Sequence, residues 1–298
     1  MTRAQAAEGV QGLPAGDRPA VDTHAHVFLR GLPTIPDARY VPDYDARPEE
    51  WFALQAGSGI GRGVLVQPSF LGTDNGHLLA ALVAHPQRLR GVVVVDETLD
   101  PARVRAWDAL GVRGIRLNVL GKATLPDLGS NAWRALLACL ADHDWHVEVH
   151  AGGAQLAGML ARLSGCPARL VFDHFALPDP VLGMADPNVA GVCRLADARM
   201  AEGGRVHVKL SGAYRLGLGR EGGLPSAHAA VRAASQYATA WLARLGPGQL
   251  MWGSDWPWTN HEATQRYAAC VDALAQWVSD PAARRVVLCD APQAVFRF

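Results

Sequence analysis

The sequence predicts a single-domain (β/α)₈ barrel, on three observations. Short Val-rich apolar runs recur eight times between residues 20 and 254, and each is followed by a segment with helix signals. The runs are apolar almost throughout, the mark of parallel strands covered on both faces. The chain has 298 residues, a normal length for eight strand–helix units. An open doubly wound sheet would normally show a Gly-rich phosphate turn after the first strand, and His24-Ala25-His26 stands there instead.

Residues 1–19 are rich in Ala, Gly, Gln and Pro without periodicity and read as a flexible N-terminal arm, with the barrel filling 20–298. Strand one is 20–27. A long irregular loop, 28–46, carries Tyr40 and Tyr44, and loops of this length after a strand are where sites are built. Pro48, followed by Glu49 and Glu50, suits the first turn of a helix, where fixed φ and acidic charge both help. Strand two is 63–67, and Thr73-Asp74-Asn75 can cap a helix over 75–84. Strand three is 91–95, and Asp100-Pro101 opens a helix to 110. Strand four is 112–119, and Ser130 or Asn131 caps a helix to 143. Strand five is 146–150 with a helix to 163. Strand six is 169–175 with a helix to 202. Strand seven is 206–211, followed by a Gly-rich loop over 212–223 and a helix over 226–244. Strand eight is 250–254, and a helical tail closes the barrel.

Composition narrows the function classes. Lys+Arg and Asp+Glu are both 28, so neither nucleic acid nor an anionic membrane is favoured as a partner. No apolar run approaches the roughly 20 residues that span a bilayer, and the N-terminus lacks signal-peptide order. The five cysteines are scattered with no C-x-x-C, which suits reduced thiols in the cytoplasm and neither a disulfide framework nor a thiolate zinc site.

The chemistry gathers at strand ends. Leu250-Met251-Trp252-Gly253-Ser254-Asp255 is an apolar run ending in a carboxylate, and a buried Asp needs a partner or a task. His24, His26, Ser69, Arg116, Asn118, His150, His174 and Ser211 end other runs, at the face where such barrels do chemistry. His24 and His26 share a face by the two-residue period and can hold one water or one metal ion. His150 shares parity with Glu148 and points inward; Asp173, next to His174, points outward unless the strand bends. Arg116, inside an apolar strand, needs an anion, and so does Lys209; Glu148 is an available internal partner for either, and Lys209, deeper from its strand end, is expected to pair structurally. Arg116, Lys122 and Arg215 are placed to grip a substrate carboxylate, and Tyr40 and Tyr214 to close the pocket from loops. His77, His85, His143, His146, His207, His228 and His261 read as structural or solvated.

With those residues in hand, the chain resembles the amidohydrolase superfamily (amidohydrolase 2 type), within it the lactonase branch of 2-pyrone-4,6-dicarboxylate lactonases. The stretches that carry the likeness are Val21-Asp22-Thr23-His24-Ala25-His26, Leu65-Val66-Gln67-Pro68-Ser69, Gly72-Thr73-Asp74-Asn75, Arg113-Gly114-Ile115-Arg116-Leu117-Asn118, Asp173-His174 with Pro178-Asp179, and Trp252-Gly253-Ser254-Asp255-Trp256-Pro257. The resemblance implies a cytoplasmic hydrolase that opens a small carboxylated lactone, pyrone- or muconolactone-like, as in aromatic catabolism. It implies Asp255 as general base, His24 and His26 holding the water, His174 polarising the carbonyl, and Arg116, Ser69, Tyr40 and Arg215 contacting substrate carboxylates.

Two positions depart from that pattern. His150 replaces a tyrosine that assists the carbonyl, and Lys122 replaces a second arginine, an exchange that loses bidentate grip. His150 also completes a ligand set, His24, His26, His150 and Asp255, like mononuclear zinc sites elsewhere in the superfamily. The cofactor expectation is therefore none or one zinc ion. The alternatives are a zinc-dependent decarboxylase of an unsaturated acid and a ligand-binding barrel without catalysis. Barrels of this kind often self-associate, so a homo-oligomer is compatible with the sequence.

Overall fold

Parallel strands β1 (Ala20–Ala25), β2 (Ile60–Val66), β3 (Leu89–Val93), β4 (Val112–Asn118), β5 (His146–His150), β6 (Arg169–Phe172) and β7 (Val206–Leu210) pair in sequence order in the computed structural model. Two short strands, β8 (Arg220–Glu221) and β9 (Leu224–Pro225), form a separate antiparallel ribbon, and β10 (Leu250–Trp252) returns to pair with β7. The structure describes residues 19–217, 220–221, 224–225 and 227–298. The expected arm thus lies outside the described residues except for Pro19, as do parts of the Gly-rich loop and the surroundings of His228.

The barrel closes between β10 and β1. The Asp255 amide donates to the His24 carbonyl at 2.8 Å, the His26 amide to the Trp256 carbonyl at 2.8 Å, and the Thr23 hydroxyl to the Trp252 carbonyl at 2.8 Å. Asp22 reinforces the seam: its carboxylate accepts from the Ser254 amide (2.8 Å), Trp51 Nε1 (3.1 Å) and the Tyr267 hydroxyl (3.1 Å). Burial pushes Asp22 up to about 6 in spite of those donors.

Helices α1 (Pro48–Gln55), α2 (Gly76–Ala84), α3 (Pro101–Leu110), α4 (Asn131–Asp142), α5 (Gly153–Leu163), α6 (Pro187–Ala201), α7 (Ala227–Leu245) and α8 (Tyr267–Trp277) alternate with the strands. The caps are those the sequence offers. Asp100 accepts from the Ala102 amide before Pro101, and Ser130 accepts from the Trp133 amide. Of the expected cap at 73–75, Asp74 accepts from the Gly76 amide at 3.1 Å, whereas Asn75 makes no side-chain cap bond and ties instead to Val94.

A large apolar cluster lies between strands and helices, and a smaller one fills the barrel's lower interior with Val21, Val64, Val92, Val171 and Met251. The tail plugs that end through α9 (Pro281–Arg285) and α10 (Ala291–Phe296), with buried Phe296 edge-on to His146 at 5.2 Å between centroids. No helix among the described residues is long and apolar enough to cross a membrane.

Candidate active site

Several strands stop short of their expected ends because the last residues leave the sheet to build the site. β6 ends at Phe172, and His174, Phe175, Ala176 and Leu177 all take positive φ (49°, 59°, 63° and 43°). Asp173, still extended at φ −71° and ψ 151°, falls on the inward side with Val171 by strand alternation, and this left-handed turn, costly for non-glycine residues, brings His174 in beside it. The expectation that Asp173 faces outward is corrected: in this strand Phe172 faces the helices while Val171 and Asp173 face inward, and it is His174 that the bend turns. Asp255 is likewise left-handed, with φ 60°. Gly212 (φ 57°) is required: a Cβ there would lie 2.7 Å from His174 Nδ1 and 3.2 Å from Asp255 Oδ2.

Beneath the site lies a fully buried layer of two cations and two carboxylates. Lys209 donates to Glu148 Oε2 at 2.5 Å, the pairing the sequence suggested. Arg116 donates through Nε (3.0 Å) and Nη2 (2.8 Å) to Asp173 Oδ2 and approaches Glu148 Oε1 at 3.8 Å. The register puts Arg116 directly beside Glu148, so the layer follows from strand pairing. Burial and then Asp173 push Glu148 up, with Lys209 and Arg116 opposing. Burial also pushes Asp173 upward, but Arg116, followed by His24, outweighs it and holds this carboxyl well below its ordinary range.

This layer bears on the ring tautomers above it. Ammonium and guanidinium groups only donate. Lys209 Nζ lies 3.2 Å from His24 Nδ1, and Arg116 Nη2 lies 3.1 Å from His150 Nδ1; these contacts suit Nδ1 atoms that accept and rings protonated on Nε2, while Asp173 Oδ1, at 3.3 Å from His24 Nδ1, is the acceptor for the other His24 tautomer. His26 is the reverse: Nδ1 donates to the Val66 carbonyl at 2.7 Å and turns Nε2 toward Asp255. Burial, then the neighbouring Lys209, pulls His24 well below the ordinary histidine range; burial, then Arg116, does the same to His150. Burial lowers His174 to about 4, so it too is neutral near pH 7. Its Nδ1 lies 2.9 Å from Ser211 Oγ.

Asp255 is the convergence point. Oδ2 accepts from the Tyr214 hydroxyl and from Arg215 Nε, each at 2.6 Å. Oδ1 is buried without a hydrogen-bond partner and faces His26 Nε2 at 3.4 Å and His24 Nε2 at 3.6 Å. Burial would raise this carboxyl, yet Arg215 and then His174 hold it well below its ordinary range.

Above these atoms is a cavity of about 200 Å³. That suits one small ring with its substituents, since a cavity of about 150 Å³ already admits benzene. His26, His150, His174, Asp255, Arg116 and Arg215 all reach it, as do Ser69 and Tyr40; His24 lies beneath its floor. Three expected substrate contacts are placed differently. Lys122 does not line this cavity, because its ammonium pairs with Asp37 at 2.7 Å. The Tyr40 hydroxyl donates to Glu262 at 2.9 Å, and burial followed by that carboxylate raises it to about 12. Arg116 is committed to Asp173 and keeps only part of its guanidinium for the cavity. Sequence reasoning missed Arg39, which lines the cavity from the loop after β1; nothing in a loop Arg beside Pro and Asp residues marks it in advance.

Among the described residues, three groups of side chains bring metal-ligating atoms within 4.8 Å of one another: His24, His174 and Asp255; His150, Asp173 and His174; His24, Glu148 and Asp173. None contains His26 or unites His150 with Asp255, whereas His24 and Asp255 of the expected set meet with His174 in the first of them. The donor chemistry is a poor fit for zinc. With its proton on Nε2, His24 presents N–H rather than a lone pair, and the second oxygen of Asp255 already carries a guanidinium.

A closed parallel barrel with a carboxylate and histidines at its C-terminal strand ends defines an enzyme of the amidohydrolase class. A family model described as "Amidohydrolase" matches residues 21–298, and the chain belongs to that family. It is 30% identical over 296 residues to a D-galactarolactone isomerase of Agrobacterium fabrum strain C58, covering 97% of this chain and 94% of that protein. It is 28% identical over 302 residues to a 4-sulfomuconolactone hydrolase of Rhizobium radiobacter, covering 99% and 94%. Among solved structures, a probable 2-pyrone-4,6-dicarboxylic acid hydrolase of Acinetobacter baumannii with bound citric acid superposes with a TM-score of 0.84 at 34% identity, covering 94% of this chain and all of that one.

Proposed function

We propose that this protein is a hydrolase that opens a small carboxylated lactone by direct attack of water, with Asp255 as general base. One observation carries the reading: a buried, unpartnered carboxylate oxygen flanked by two imidazole Nε2 atoms, under a cationic cavity that fits a single ring. The names of the relatives support the substrate class.

The three atoms suit one water molecule. His24 Nε2–H donates to its oxygen, and its two hydrogens go to His26 Nε2 and Asp255 Oδ1, which leaves one lone pair for the lactone carbonyl. As the C–O bond forms, Asp255 takes the water proton. The oxyanion receives Nε2–H donors from His150, and from His174 once Ser211 donates to its Nδ1; such preorganised donors are often the largest catalytic effect. Collapse breaks the ring C–O bond, and Asp255 returns the proton to the leaving ring oxygen.

Arg215 makes the base conditional. A carboxylate held far below its ordinary range is a weak base, and the Arg215 contact is what holds it there. A substrate carboxylate that draws the guanidinium away restores basicity only when the substrate is seated. No metal is needed in this scheme. The chemistry suits the cytoplasm, where the five free cysteines would stay reduced.

The isomerase among the relatives favours a second reading, in which a substrate hydroxyl replaces water as nucleophile. A panel of pyrone and muconolactone carboxylates assayed in ¹⁸O-water separates them. Hydrolysis places one ¹⁸O in the product acid, isomerisation places none, and a decarboxylase would release carbon dioxide without consuming water. If no lactone in the panel is opened, the hydrolase reading fails.

A further inference from the structure

We infer that Arg39 is the anchor for a second anionic group on the substrate, the role the sequence alone suggested for Lys122. The inference rests on the lactone reading above and names the substrate as a dianion.

Charge accounting at the cavity leads there. Arg39, Arg116 and Arg215 all reach it, and Asp255 is the acid among its lining residues. Arg215 is matched by Asp255 and Arg116 by Asp173 beneath. Arg39 has no hydrogen-bond or ion-pair partner among the described residues, although Asp37 is two positions away and takes Lys122 instead. Partial burial, and then the charges of Arg116 and Arg215, pull Arg39 below the ordinary arginine range, so an anion there relieves repulsion as well as making new contacts.

The position also has a built shape. Arg39, Ser69 and Asn118 line both the central cavity and an adjoining one of about 190 Å³ on which Lys122 also borders. An anionic substituent reaching from the ring toward that side meets the Arg39 fork and the Ser69 hydroxyl, with Asp37 of the same wall already paired to Lys122, while Arg215 elsewhere in the cavity serves another acid group. Guanidinium restores the bidentate recognition of a carboxylate that Lys122 cannot supply. A lactone with one acid group fills only the Arg215 side and leaves Arg39 in water.

The test separates this claim from the hydrolase reading by using inert ligands. Isophthalate, with two carboxylates in a 1,3 relation on a six-membered ring, and benzoate, with one, are titrated calorimetrically into the full-length protein and into Arg39→Gln, Arg39→Lys and Lys122→Met. Arg39 is exposed, so these changes spare the core. Wild type binds isophthalate more tightly than benzoate. Arg39→Gln weakens isophthalate about tenfold, a conservative figure for a charged hydrogen bond open to solvent, and leaves benzoate within about twofold. Arg39→Lys recovers part of the loss, and Lys122→Met leaves the ratio unchanged. Equal loss for both ligands in Arg39→Gln, no loss for either, no preference in wild type, or a collapse of the ratio in Lys122→Met each overturns the assignment. If the ratios behave as stated but no lactone is opened, the hydrolase reading falls and the Arg39 seat stands.

Discussion

Replacing Lys209 by Met separates two roles that the structure gives to one ammonium group. Lys209 neutralises Glu148 and donates to His24 Nδ1. The buried layer holds Lys209 and Arg116 against Glu148 and Asp173, so Lys209→Met leaves one carboxylate in excess where no water reaches. Breaking a buried pair in this way costs about 3–5 kcal/mol. Adding Glu148→Leu removes the orphaned charge and keeps Arg116 with Asp173, so the double variant should recover most of that stability, since apolar replacement of a buried pair is often neutral or better. Activity should not recover. Without the Lys209 donor, the His24 proton is free to move to Nδ1, where Asp173 Oδ1 waits at 3.3 Å, and the donor to the water is lost. Losing one preorganised donor lowers kcat by about 10²-fold. The acid limb should also shift: Lys209 is the second cause, after burial, of His24's depressed value, so both variants let His24 protonate at higher pH and lose activity sooner on acidification. Urea unfolding and kcat–pH profiles of both variants decide the matter. A double variant within about threefold of wild-type kcat would refute the tautomer role of Lys209 and the water geometry built on it.

Three further outcomes follow from the same geometry. Exhaustive chelation should leave lactone hydrolysis intact, with metal content measured on the same sample; one zinc per chain and activity lost on its removal would mean that His24 ligates through Nε2 and that Lys209 has let go of its ring. Stability should fall as pH drops below the ordinary histidine value of 6.5. Burial lowers His146 and His207 to about 3 and His174 to about 4, so the unfolded chain takes up protons that the folded one refuses, and stability present above 6.5 is lost on the way down to those values. A urea midpoint unchanged between pH 7 and pH 5 would contradict this. Gly212→Ala should reduce kcat by at least about tenfold with a smaller effect on KM, because the added methyl displaces His174 from Asp255 while the carboxylate seats stay in place; a KM effect alone would place Gly212 in binding instead.

How much of this was legible in the sequence depends on the range of the interaction involved. Strand and helix existence is written in local apolar periodicity and in Asp100-Pro101 and Ser130, and all eight barrel strands occur where the runs are. The Lys209–Glu148 pair could be anticipated because both lie inside apolar strands with no other means of neutralisation. What periodicity cannot carry is the backbone that leaves the sheet. The left-handed run at His174–Leu177 breaks the two-residue alternation and brings His174 in beside Asp173, whose own inward place follows that of Val171; Asp173 then engages Arg116, which in turn contacts His150. A similar limit hid the loop after β1. Lys122 and Arg39 are both loop cations, and only their spatial neighbours, Asp37 for one and no paired carboxylate among the described residues for the other, distinguish a neutralised charge from an unmatched one. In the proposed mechanism specificity rests on pairings among loops distant in sequence, whereas the chemistry of the water rests on strand ends that the sequence displays openly.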